Sequence, residues 1–221
     1  MTVEQVLSSL SLLATALLTY NVTLTVLAVL IALPVASLLA LGRLSPRRVI
    51  RYPIAAYINI LRSSPLLMVM FWVYYTFPML VGGGNVDVFT AALIALSAFE
   101  AAYFAEFIRA GLQSIARDQH RAALATGLKP WQVSLHVIWP QAMRRMLPSL
   151  LTQTIIAFQD STLASVIGLR EVVQTTTIVN AREVRPIWLY SMLAVFYLCL
   201  CLALSRLVRR LERKTAERLT A

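Results

Sequence analysis

The chain has 221 residues, 59% of them apolar, with a net charge of +10 and a mean hydropathy of +0.72. Residues 5–42, 63–86 and 186–205 contain no Asp, Glu, Lys or Arg, and roughly 20 such residues suffice to cross about 30 Å of hydrocarbon, which excludes a water-solvated fold. The basic residues lie between these runs and at the C-terminus, a positive-inside pattern that excludes a nucleic-acid-binding face.

The start, Met1-Thr2-Val3-Glu4, has no basic region before the first apolar run. The first hydrophobic helix is therefore expected to insert and stay. Residues 5–42 are too long for one crossing at 1.5 Å per residue. They divide into a peripheral helix near 3–15 and a first span near 18–42, with Tyr20 and Asn21 at the interface and Gly42-Arg43 at the end. Residues 43–53 form a basic loop carrying Arg43, Arg47, Arg48 and Arg51, which places it in the cytoplasm. A second span follows near 57–80, and Gly82-Gly83-Gly84-Asn85 make an external turn.

The third span, near 88–109, contains Glu100 and Glu106. Carboxylates are costly in lipid and so face protein or a cavity. Six residues apart, they lie on different faces of a helix; one substrate contact and one structural pair, with Arg109 or backbone, is the expectation. Residues 110–145 form a long cytoplasmic segment. The fourth span, near 146–168, carries Gln159-Asp160-Ser161-Thr162 at depth. Asp160 has two readings: a hydrogen-bonded kink or inter-subunit ion pair, and a carboxylate that receives a substrate ammonium. Residues 169–185 are polar and external, the fifth span is 186–206, and the basic tail is cytoplasmic. Arg170, Arg182 and Arg185 then fall outside, leaving 17 of the 20 basic residues inside. The expected fold is all-α, a polytopic single domain over residues 1–221, with five spans, the N-terminus outside and the C-terminus in the cytoplasm.

Cys199 and Cys201 point apart on a helix, and His120 and His136 lie 16 residues apart, so no metal or disulfide is expected. No Gly-x-x-x-x-Gly-Lys-Ser/Thr phosphate loop is present. The chain is not expected to be an enzyme or to bind a cofactor.

The cytoplasmic segment carries the most specific pattern. Residues 117–126 are helix formers, Gly127 supplies a helix end, Pro130 suits the first turn of a second helix, and Pro140 disfavours further unbroken helix. The expectation is a compact helical knuckle joined to spans at both ends. Ala122, Ala123, Gly127 and Pro140 match the EAA loop of ATP-binding-cassette (ABC) importer permeases in spacing: Glu-Ala-Ala, three residues, Gly, nine residues, Ile, any residue, Leu-Pro. Arg121 stands for the family Glu, and Val137 and Trp139 for the Ile and Leu. Phe99-Glu100-Ala101-Ala102-Tyr103, Glu106-Phe107-Ile108-Arg109-Ala110-Gly111, Pro140-Gln141-Ala142, Asp160-Ser161-Thr162-Leu163 and Arg62-Ser63-Ser64-Pro65-Leu66 resemble permeases for polar amino acids, with Gln159 resembling the glutamate/aspartate branch.

That resemblance implies a permease subunit of the bacterial inner membrane. It implies a second permease subunit, identical or homologous, an ABC ATPase dimer holding ATP and Mg, and a periplasmic or lipid-anchored amino-acid-binding protein. Arg121, Ala122, Ala123, Gly127 and Pro140 become the coupling set. Glu100, Tyr103, Gln159, Asp160, Ser161 and Thr162 become substrate-pathway candidates. The alternative is a secondary transporter or channel that needs no ATPase, for which an inverted internal repeat would be the sign.

Overall fold

A computed structural model describes the backbone of residues 3–80, 82 and 86–220, and side chains between 9 and 210 within those ranges. Every element among the described residues is helical. Gly83, Gly84 and Asn85 of the expected external turn lie outside the described residues; Gly82 has φ 64°.

Helix α1 (Val3–Ala16) continues through a π-helical turn, Leu17–Val22, into α2 (Thr23–Arg43). The expected division into a peripheral helix and a separate span is therefore absent. Ala16 and Thr23, on either side of the turn, keep helical angles, and no Gly or Pro occurs before Pro34 to break the run. Leu24, Ala28, Ala32, Ala36 and Ala40 recur every fourth residue and are fully buried. Residues four apart share a helix face, and small ones let backbones approach closely in a membrane.

The expected basic loop is mostly helix. Helix α3 (Arg48–Ser63) begins inside it. The expected second span, 57–80, is two pieces: the end of α3, then α4 (Leu66–Phe71), a π turn (Trp72–Thr76) and α5 (Phe77–Leu80), bent by 109° from α3. Pro65 causes the break. It forces the preceding residue out of helical space, and Ser64 sits at φ −97°, ψ 144°.

Helix α6 (Val88–Gln113) is the hub. Asp87 caps it, its carboxylate accepting from the backbone N–H of Phe89 at 3.1 Å and Thr90 at 3.2 Å. Ala91, Ala92, Ala95, Ala101, Ala102 and Ala105 are buried along it. They meet α2 and α4 toward one end, with Leu24, Ala28 and Met70, and α2, α3 and α9 toward the other, with Ala36, Ile58 and Met146.

After α6 come α7 (Arg117–Ala125), α8 (Pro130–Gln132), a π turn (Val133–Ile138), α9 (Trp139–Asp160), a 3₁₀ turn (Ser161–Ile167), α10 (Val172–Glu183) and α11 (Pro186–Thr220). Among the described residues three helical runs are long and apolar enough to cross a membrane: Ser9–Arg43, Val88–Gln113 and Pro186–Arg210. The bent pair Arg48–Ser63 with Leu66–Leu80 makes a fourth if counted as one. Apolar length alone thus marks three or four of the five expected spans. Arg144, Arg145, Gln153, Gln159 and Asp160 keep α9 polar, although it packs between α6 and α11.

Candidate functional site

The knuckle forms where α6 ends. Helix α7 stops at Thr126, and Gly127 turns the chain with φ 84°, a left-handed conformation in which glycine carries no Cβ penalty. Its N–H donates to the Leu124 carbonyl at 3.0 Å. A Cβ at Gly127 would meet nothing within 4 Å, so backbone conformation, and no neighbour within this chain, calls for glycine. Pro130 opens α8, and the Gln132 amide oxygen accepts from the Lys129 N–H at 2.8 Å.

Pro140 does not break the second helix. The π turn Val133–Ile138 runs directly into α9, where Pro140 occupies the first turn. A π turn shifts hydrogen bonding to i→i+5, and Pro in the first turn of the renewed α-helix lacks only an N–H that would have no partner there. The second helix of the knuckle and α9 are therefore one rod.

Ala123 and Val133 are buried between α7 and the π turn. Arg121 and Asp118 are exposed and 3.8 Å apart. Ala122 is exposed. Leu124, Trp131 and Leu135 stand uncovered on the knuckle, Trp131 at 61% exposure. The sequence reading missed this apolar surface; its signal was a large apolar residue at each of these positions in a segment expected in the cytoplasm.

Two contacts join α6 and α9 at the roots of the knuckle. Arg145 of α9 donates to the carbonyl of Ser114 at 2.5 Å, at the C-terminal end of α6, where helix carbonyls favour a cation. Below it, α6 and α9 touch at Gly111, where a Cβ would lie 2.8 Å from Met146 Cβ.

Farther along the same two helices lies a buried polar pair. Gln153 of α9 donates to Glu100 Oε2 of α6 at 3.0 Å, with Glu100 fully buried and Gln153 4% exposed. Glu100 Oε1 and Ser97 Oγ have no hydrogen-bond partner among the described residues. Asp160, two turns beyond Gln153 and half-buried, is close enough to Glu100 to interact electrostatically. A cavity of about 250 Å³ opens beside Gln153, lined also by Phe107, Pro148, Ser149, Thr152 and Ile156.

The other pathway candidates scatter. Tyr103 donates to the Arg62 carbonyl at 3.4 Å, with the Arg62 guanidinium 5.4 Å from its ring centre. Gln159 is exposed and donates to Cys201 Sγ at 3.5 Å, toward α11. Thr162 donates to the Gln159 carbonyl at 2.8 Å. Ser161 points elsewhere, into a buried cluster: Asn21 Nδ2 donates to Ser161 Oγ at 2.9 Å and to Glu171 Oε2 at 3.0 Å, while Asn21 Oδ1 accepts from the Val172 N–H at 3.1 Å. Asn21 is fully buried. Its amide finds partners in α10 that no local pattern announces. Glu106, by contrast with Glu100, is held by Arg109 through two nitrogens, with Arg43 3.9 Å and Arg62 4.0 Å away.

Comparison with known proteins places this geometry. Residues 32–217 match the family described as "Binding-protein-dependent transport system inner membrane component". The chain is 39% identical to the glutamate/aspartate import permease protein GltK of Escherichia coli over 198 residues, covering 87% of this chain and 88% of that protein. It is 37% identical to the glutamine transport system permease protein GlnP of Escherichia coli, covering 72% of each. A crystal structure of an amino acid ABC transporter with histidines shares 31% identity with a TM-score of 0.89, over 97% of this chain and all of that one. The methionine transporter MetNI, at 19% identity and TM-score 0.72 over 97% and 99% of the two chains, shares the fold. This chain belongs to the family of binding-protein-dependent transport system inner membrane components and is a multi-pass protein of the inner membrane.

Proposed function

We propose that the chain is the permease subunit of an ABC importer for polar amino acids, with glutamate or aspartate as the leading cargo. The observation that carries this reading is the knuckle. It exposes Leu124, Trp131 and Leu135, turns at Gly127, and springs from α6 and α9 where Arg145 and the Gly111–Met146 approach join those two helices. A large uncovered apolar surface suits a protein partner, and the rod from Pro130 to Asp160 carries any displacement of it to Gln153 and Asp160.

On this reading Arg121, Ala122, Ala123, Gly127 and Pro140 form the coupling element within the single permease domain, and an ABC ATPase dimer docks on it. Arg121 in place of an acid alters the charge offered to that partner and leaves the packing of Ala123 intact. ATP and Mg bind the ATPase, and this chain binds neither. A second permease subunit completes the pathway, and a periplasmic or lipid-anchored receptor delivers cargo. Closure of the ATPase pair moves the knuckles and rocks the spans between outward and inward access.

Glu100 and Asp160 are the pathway residues supported by their shared neighbourhood on α6 and α9, and Tyr103, at the Arg62 carbonyl, joins them in the proposal. Gln159, Ser161 and Thr162 follow them in the proposal as the turn that ends α9. A carboxylate at Asp160 would receive the α-ammonium group common to all amino acids. Five crossings, with the N-terminus outside, agree with the segregation of basic residues if α9 crosses with its polar face covered by α6 and α11.

Affinity purification of the full chain from its native membrane tests this reading. A co-purifying ABC ATPase and an amino-acid-binding receptor are expected. A chain that purifies alone and transports in liposomes without ATP would replace the reading with a secondary transporter or channel.

A further inference from the structure

Arginine outnumbers carboxylate where the ends of α2 and α6 meet α3. Arg43, Arg62 and Arg109 share Glu106 as their one acid. Arg51 adds a fourth guanidinium, with no carboxylate within 4.0 Å among the described residues; its recorded contact is the Tyr52 ring at 5.3 Å. Four positive charges against one leave +3. The Arg43 and Arg109 side chains are only 22% and 25% exposed. Half-buried charge in excess is costly unless an anion joins it.

The same place holds a cavity of about 590 Å³. Arg43, Arg51, Arg109, Tyr52, Asn59 and Gln113 supply its polar wall. This is donor-rich lining suited to an oxyanion, since guanidinium groups match phosphate geometry.

The shape of α3 says which oxyanion. At 100° per residue, Val49, Pro53, Ala56 and Ile60 fall on one face, and all are exposed, Val49 at 86% and Ile60 at 63%. Arg51 and Ile58 lie on the opposite side, toward the protein. Tyr52 and Asn59 lie between the two, so the lip of the basic cavity adjoins the apolar stripe. The helix also turns 109° from the segment that follows, which lays it close to the bilayer plane when that segment crosses. A basic face beside an exposed apolar stripe is the signature of a helix resting in the membrane interface.

We infer that this cavity seats the phosphate head group of an anionic phospholipid, with the Val49–Ile60 stripe against its acyl chains. Arg51 and Arg43 contact the phosphate, and Tyr52 and Asn59 hold the glycerol side of the head group. The seat lies at the root of α2, α3 and α6, so an occupied site braces the basic end of the bundle.

The test uses the full chain in nanodiscs of phosphatidylglycerol mixed with phosphatidylcholine, with retained lipid counted by native mass spectrometry. Wild-type protein is expected to retain phosphatidylglycerol in preference to phosphatidylcholine. Arg51→Gln should weaken that preference about fivefold, the effect of one basic residue at an anionic surface. Arg117→Gln, an exposed position on α7, should leave it unchanged. Equal retention of the two lipids by wild type would overturn the assignment, as would a preference untouched by Arg51→Gln. A third arm adds inorganic phosphate to protein in pure phosphatidylcholine and follows the unfolding midpoint. Stabilisation there equal to that given by phosphatidylglycerol would place a free anion in the cavity and also overturn the lipid seat.

Discussion

Arg145 donates to the carbonyl of Ser114 at 2.5 Å, across 31 residues of sequence, and so ties the root of α9 to the last turn of α6. The intervening chain is the knuckle. Whatever moves α7 and α8 therefore acts on two helices at once, and those two carry Glu100 and Gln153.

Arg145→Met keeps much of the side-chain stem and removes the tie. The Ser114 hydroxyl, which donates to the Gly111 carbonyl, stays in place, and the bond lost is partly exposed. Loss of stability should be modest, about 1–2 kcal/mol for a charge-assisted hydrogen bond. In a reconstituted complex, ATP hydrolysis should persist while substrate uptake per ATP falls severalfold. Uptake and hydrolysis falling in equal proportion would mean that Arg145 serves assembly alone.

Gln153 is the one hydrogen-bond donor to Glu100 among the described residues. Gln153→Leu should cost about 1–3 kcal/mol, because it strands a buried acceptor. Adding Glu100→Gln should recover part of that loss, since the second change removes an ionisable group from the same site. The double-mutant cycle in denaturant unfolding measures the interaction directly. Strict additivity would mean that the two side chains do not support each other.

Asn21 is the keystone of a third buried cluster. Asn21→Ala removes both donors, to Ser161 and Glu171, and the acceptor for the Val172 N–H. Burial pushes the Glu171 carboxyl up from its ordinary range, against the hydrogen bonds from Asn21 and the α10 backbone that lower it. The substitution should lower stability by about 2–4 kcal/mol, from several buried polar groups left short of partners. A change under about 0.5 kcal/mol, the range of ordinary surface substitutions, would show that the cluster is not a structural lock.

What the sequence disclosed follows from what is local. The uncharged run after Asp87 and the Asp87 cap are both local, and α6 runs Val88–Gln113, long and apolar enough to cross a membrane. Gly127 announced a turn because few other residues accept φ 84°. The bend at Ser64-Pro65 was equally legible in principle, yet the charge-free run from residue 63 suggested one straight span. The amphipathic spacing of α3, with Arg51, Ile54, Ala55, Ile58 and Leu61 turned inward, lay hidden because its arginines read as a loop. Pro140 misled because a π turn upstream absorbs its missing N–H. Asn21, Ser161 and Glu171 are 150 residues apart at the extremes, and only tertiary packing brings them together. The knuckle was visible as a pattern; its attachment through Arg145 was not.

The most direct test of the central claim is uptake by proteoliposomes holding this chain with its co-purified ATPase and receptor, comparing wild type with Gly127→Asp. Open space surrounds the glycine, so the variant should fold and insert, losing only about 1–2 kcal/mol to the left-handed backbone. The account predicts ATP-dependent uptake of labelled glutamate by wild type, and at least about tenfold less by the variant, equivalent to some 1.4 kcal/mol of lost coupling. Normal uptake by the variant, or wild-type uptake that needs no ATP, would contradict it.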